Sequence, residues 1–181
     1  NPNAATTMVG VEAVAGLGEI QQIGAGDEHA CARSTDAVHC WGNNDGQQAR
    51  LGVATGSGPS SLFDVGTSVS DLSVGLWHTC GVLGDRPFCW GQNASGELGI
   101  GDGTTTAPTM VGGSHSATRM LAGVGNSCIV APALRCWGYN AFGAVGPTGM
   151  GTSNVASPTE LVGREAAVPD LMATSHTRAN E

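Results

Sequence analysis

Apolar residues along this chain come in short alternating runs and not in helical stripes. Cys80-Gly-Val-Leu and Arg86-Pro-Phe-Cys89 are typical, two four-residue segments separated by Gly84-Asp85. Period-two runs of this length, bounded by turn residues, predict strands joined as hairpins. Gly supplies 29 of 181 residues while aromatics reach only 4%, which argues against long helices and for many tight turns. The expected unit is β.

The pattern repeats. Cys-Trp-Gly stands at 40–42, 89–91 and 136–138, and an upstream cysteine stands at 31, 80 and 128. Both sets therefore recur every 47 to 49 residues. Ile23-Gly24-Ala25-Gly26, Leu72-Ser73-Val74-Gly75 and Met120-Leu121-Ala122-Gly123 lead into the first cysteine of each copy. Downstream, Asn93-Ala-Ser-Gly96-Glu-Leu-Gly99 matches Asn140-Ala-Phe-Gly143-Ala-Val-Gly146, and Pro108-Thr-Met-Val111 matches Pro158-Thr-Glu-Leu161-Val162. Periods of this size belong to solenoids, propellers and arrays. The chain divides into the end of a preceding repeat with a lead-in strand (1–22), repeats at 23–68, 69–117 and 118–164, and the start of an incomplete fourth (165–181).

One pairing rule accounts for the cysteines. If Cys80 and Cys89 oppose each other, Gly81 meets Phe88, Leu83 meets Arg86, and Gly84-Asp85 forms a two-residue type II′ turn. The first repeat gives the same hairpin with Thr35-Asp36 at its tip, and the shorter third repeat takes a three-residue Ala131-Pro132-Ala133 loop. Directly opposed residues lie close enough to be crosslinked. The expected disulfides are Cys31–Cys40, Cys80–Cys89 and Cys128–Cys136, each contributing about 2.5–3 kcal/mol by loop closure. A zinc site of His29, Cys31, His39 and Cys40 is the rival. It loses because Phe88 replaces His39 in the second copy and Asn126 replaces His29 in the third, so only the cysteine pairs recur. Crosslinks in every repeat imply an oxidising location: secreted, periplasmic or cell-surface.

Charge narrows the partners. All seven basic residues are Arg, Lys is absent, and the formal net charge is −8. No basic stripe can form to displace phosphate counterions, so nucleic acid is not an expected partner. With no apolar run long enough to span a bilayer, membrane insertion is not expected either. The chain opens Asn1-Pro2 without Met or a visible signal peptide, as in a processed chain or an excerpt of a longer one.

The pattern Ala-Gly-x-x-His-x-Cys…Cys-Trp-Gly-x-Asn-x-x-Gly-x-Leu-Gly-x-Gly…Pro-x-x-Val, clearest at 74–111, resembles the repeat of the regulator of chromosome condensation family. The resemblance runs over nearly the whole chain in about three and a half copies. It implies an all-β fold, a seven-bladed β-propeller of four-stranded antiparallel blades, of which this chain holds a partial ring. The cysteine pair departs from nuclear members of the family and resembles an exported bacterial variant.

Within that frame the recurring residues take structural roles. Trp41, Trp90 and Trp137 alternate with the neighbouring cysteines and so point to the opposite face, as wedges between blades. Gly42, Gly91 and Gly138 let the chain bend out of the strand. Asn44, Asn93 and Asn140 tie the following loop to itself. Asn93-Ala-Ser95 is formally a glycosylation sequon, but its place in the repeat favours that loop role. His29 and His78 are read as repeated structural hydrogen-bonders. The extra Gln48-Ala-Arg50 and the Gly- and Ser-rich stretch from Ala54 to Asp64 are read as a surface loop.

No catalytic signature stands out, and neither a cofactor nor a metal is expected. The sequence contains no Gly-x-Ser-x-Gly, Walker loop, His-Glu-x-x-His or Cys-x-x-Cys. The expected function is a non-catalytic exported module that meets a protein partner, or copies of itself, through its loop faces. Some members of the resembled family are nucleotide-exchange and chromatin factors and others inhibit secreted hydrolases. An extracellular assembly built by blade or strand complementation is the alternative, and a polysaccharide-active enzyme ranks third. The alternative draws on the count: seven blades need roughly 340 residues at this period, and Val168-Pro-Asp-Leu171 through His176-Thr-Arg178 reads as the opening of another repeat, as Thr6 to Val9 reads as the end of one.

Overall fold

The computed structural model describes residues 14, 17–35, 37–42, 60–61, 69–103, 105–113, 116–146 and 153–161. Among them are twelve strands and no helix, so none that could cross a membrane. The first sheet joins β1 (Ile20–Ala25), β2 (His29–Ser34), β3 (Val38–Gly42) and β4 (Ser60–Ser61). The second joins β5 (Val69–Val74), β6 (His78–Leu83), β7 (Arg86–Gly91) and β8 (Thr105–Met110). The third joins β9 (Arg119–Ala122), β10 (Asn126–Val130), β11 (Arg135–Gly138) and β12 (Val155–Glu160). Each sheet is an antiparallel meander in chain order, and the three stack as propeller blades.

The hairpin register follows the cysteines. Cys80 faces Cys89, Gly81 faces Phe88 and Leu83 faces Arg86, with Gly84 at a left-handed φ of 65° in the turn. Cys31 faces Cys40 and Cys128 faces Cys136. All three pairs are disulfide-bonded, with Cα–Cα distances of 4.0, 4.1 and 4.1 Å, and no described cysteine is free.

Two details differ from the sequence reading. The third hairpin's ladder ends at Ile129↔Arg135, so Val130 and Leu134 are not partners and the tip is wider than Ala131-Pro132-Ala133. Val130 gives its carbonyl to the Thr118 N–H instead, at 2.9 Å. The second difference is β4, which lies inside the stretch read as a loop. Ser60 pairs with Cys40 as Thr109 pairs with Cys89 and Thr159 with Cys136. Pro59-Ser-Ser-Leu62 is thus the first copy of the Pro-x-x-aliphatic motif. In the other two copies Pro108 and Pro158 are tolerated because the fourth strand is the blade's edge, where a missing N–H is not needed.

The core lies between blades. The Cys31–Cys40 pair is buried with Val38, Val69, Leu72, Phe88 and Trp90, mixing the first and second sheets. The Cys80–Cys89 pair is buried with Val82, Leu98, Met120, Ile129 and Trp137, mixing the second and third. Each of these two cystines is thus covered by the next blade's Trp. Where no further described blade follows the rule, burial fails. Ile23, counterpart of the buried Leu72 and Met120, is 67% exposed; Trp41 and Cys128 are only half-buried, and Leu121 is 44% exposed.

Candidate functional site

The repeat residues form the frame from which a site is built. His29 Nε2 and Thr79 Oγ1 share a hydrogen bond of 3.0 Å across the first blade boundary, and His78 Nε2 and Ser127 Oγ one of 2.8 Å across the second. Ser127 gives its single hydroxyl hydrogen to the Glu97 carbonyl at 2.9 Å, so His78 Nε2 must be the donor to it. Burial lowers both imidazoles to about 4, helped at His78 by His29. The rings fit because of glycine three residues earlier. A Cβ on Gly26 would sit 2.6 Å from the His29 ring, and one on Gly75 would meet His78 Cε1. In the third blade Asn126 takes the same place over Gly123.

The other motif residues are also structural. Trp90 and Trp137 are fully buried, while Trp41 is half-buried. Gly42, Gly91 and Gly138 have φ of 108°, 107° and 102°, which a side chain disfavours, and a Cβ on Gly138 would strike the Gly125 carbonyl. Asn93 donates to the Gly101 and Gly103 carbonyls at 2.9 and 2.5 Å and accepts from the Leu98 N–H at 2.8 Å. Asn140 accepts from the Val145 N–H at 3.0 Å. Asn93 thus ties its loop together with both amide hydrogens engaged. Asn44, Asp36, Gln48 to Arg50, Thr6 to Val9 and the stretch from Val168 to Arg178 lie outside the described residues.

What the repeat does not explain is a groove of about 300 Å³ across the second and third blades, on the turn side. Leu76, Trp77, Gln92, Glu97, Val124 and Tyr139 line it. Trp77 is 37% exposed and Val124 75% exposed, and Phe142, 90% exposed, packs edge-on to Tyr139 at 6.5 Å. Exposed apolar side chains gathered in one place signal binding more than scattered ones do. Glu97 is only 7% exposed and lines the same groove. Its Oε2 accepts the Ser95 N–H at 2.7 Å, and desolvation holds its carboxyl above the usual range, opposed by backbone hydrogen bonds.

Sequence reasoning singled out the recurring Trp residues and passed over Trp77, Glu97, Tyr139 and Phe142. The signal was present in the departures from the repeat. Trp77 stands where the other copies have Glu28 and Gly125, Tyr139 where they have Asn43 and Gln92, and Glu97 where the third has Ala144. Recurring positions build blades; these do not recur.

Comparison with known proteins agrees with this architecture. Residues 20–48 match the model of the regulator of chromosome condensation (RCC1) repeat. The fold is similar to that of yeast RCC1 (Prp20) bound to Kap60, at 21% identity over 82% of this chain and 38% of that one, with a TM-score of 0.72. It is similar also to Prp20p from Saccharomyces cerevisiae, described with its binding to Gsp1p and histones, at 20% identity over 82% and 40%, TM-score 0.72. Human WBSCR16 shares 22% identity over 79% of this chain and 38% of its own, TM-score 0.67. No curated protein matches the sequence. The described residues therefore have the fold of β-propeller blades, similar to those of the yeast protein, and the chain spans 38% of that protein's chain.

Proposed function

We propose that the chain is a protein-interaction module of the regulator of chromosome condensation kind, working in an oxidising compartment outside the cytosol. The observation that carries this is the groove lined by Trp77, Val124 and Tyr139, with exposed Phe142 packed against Tyr139, residues the blade architecture does not require. Its location is supported by the three cystines, one in each blade. Solved relatives in fold are described with protein partners: Kap60 for one, Gsp1p and histones for another. Nucleic acid is not the partner proposed, given a net charge of −8 without lysine. Nor is an enzymatic role proposed. Selection of displayed peptides tests the reading: enriched binders should lose affinity for a Tyr139→Ala/Phe142→Ser double variant that keeps the parent's melting temperature. Binders indifferent to that change would refute it.

A second reading is favoured by a separate observation, the exposure of Ile23 at one end of the stack and Leu121 at the other. These residues suit coverage by another blade, from a longer chain or a second copy. Light scattering on the isolated chain tests it: a concentration-independent monomer with a cooperative melt would remove the reading.

A further inference from the structure

We infer that the groove between the second and third blades receives an arginine side chain of the partner protein, its guanidinium paired with the Glu97 carboxylate and stacked on Trp77 or Tyr139. The inference rests on the interaction reading above and specifies its chemistry. It begins from Glu97. The turn that carries this residue forms equally well in the third blade, where Asn140 accepts the Val145 N–H just as Asn93 accepts the Leu98 N–H. There Ala144 takes the place of Glu97, so the turn needs no carboxylate. The blade boundary does not need it either, since Ser127 and Trp137 bond to the Glu97 main-chain carbonyl and not to its side chain.

A carboxylate nine-tenths removed from water is unfavourable unless it is paired. Its Oε2 has the Ser95 N–H, but no cation lies among the described residues that line the groove. The residues that share the groove are the ones a guanidinium prefers. Trp77 and Tyr139 offer ring faces, Leu76 and Val124 an apolar wall for the methylene stem, and Gln92 a further amide. Arginine fits better than lysine because its planar fork can pair with a carboxylate and lie flat on a ring at once. Electrostatics at longer range agree, with a chain of net charge −8 attracting basic segments.

The test uses the full 181-residue chain and three acetylated, amidated pentapeptides, Ser-Leu-X-Leu-Ser, where X is arginine, citrulline or glutamate. Citrulline keeps the shape and removes the charge. Titrations followed by ¹H–¹⁵N shifts of the Trp77 indole, Gly125 and Tyr139 should show the arginine peptide binding at least about tenfold tighter than citrulline, with glutamate weakest. Glu97→Gln should bring arginine to the citrulline level and leave citrulline unchanged. Equal affinity of arginine and citrulline for the unaltered chain overturns the inference without any variant. If both then lose binding in the Tyr139→Ala/Phe142→Ser double variant, the groove reading survives and the charge pairing alone fails. Shifts confined to other residues, or absent for all three peptides, reject the arginine assignment.

Discussion

The indole N–H of Trp137 donates to the main-chain carbonyl of Glu97 at 2.7 Å, across the boundary between the second and third blades. Trp137 is fully buried beside the Cys80–Cys89 cystine, while Glu97 is one of the residues lining the groove. One residue pair therefore couples the wedge that holds two blades together to the surface where a partner is proposed to bind.

Trp137→Ala should destabilise the chain by about 3–5 kcal/mol, the range for deleting a buried aromatic. Trp41→Ala removes the same side chain from a half-buried position and should have a much smaller effect. Urea unfolding of the two variants checks the order; similar losses would contradict the wedge geometry.

Reduction should proceed unevenly. Cys31, Cys80 and Cys89 are fully buried and Cys40 nearly so, whereas Cys128 is half-buried on the far face of the third blade. Thiol–disulfide exchange needs access to a sulfur. Limited dithiothreitol followed by alkylation and peptide mapping should label Cys128 and Cys136 first. Complete reduction should then cost about 2.5–3 kcal/mol per bridge.

Acid should weaken the blade boundaries through the histidines. His78 titrates near 4 in the folded chain against 6.5 ordinarily, because burial disfavours its charged form. The unfolded chain takes up that proton first, so stability present above 6.5 is lost as pH falls towards 4. The loss reaches on the order of 3 kcal/mol. His29 acts in the same direction. Glu97 has the opposite sign: its raised carboxyl favours the fold at low pH and gives that up as pH rises. His78→Asn, which installs the residue the third repeat already carries, should flatten the stability–pH profile. An unchanged slope would remove His78 from the explanation.

Two glycines of the second blade should respond differently to alanine. Gly84 has open space around an added Cβ but a left-handed φ of 65°, so Gly84→Ala should cost about 1–2 kcal/mol. At Gly75 the added Cβ would lie 2.6 Å from the Gly123 carbonyl oxygen and press on the His78 ring. Gly75→Ala should be the more damaging, displacing the imidazole and the neighbouring blade together. Thermal melts of the pair decide it.

By itself the sequence determined the blades. Cysteines at 31, 80 and 128, partners at 40, 89 and 136, and period-two runs between them fix hairpins locally, because side-chain alternation and loop length act within one repeat. It also placed Trp90 and Trp137 on the face away from their neighbouring cysteines. The short β4 at Ser60–Ser61 was less visible, since Gly- and Ser-rich residues around it mask the Pro-x-x-aliphatic signal. Only the tertiary structure decided what lies between blades. That His78 would find Ser127, or that Trp77, Glu97 and Tyr139 would share one groove, depends on how two sheets stack after strands forty or more residues apart are brought together. Recurring residues reveal the lattice from sequence because one rule serves every copy. Residues that break the rule acquire meaning only when stacking sets them side by side.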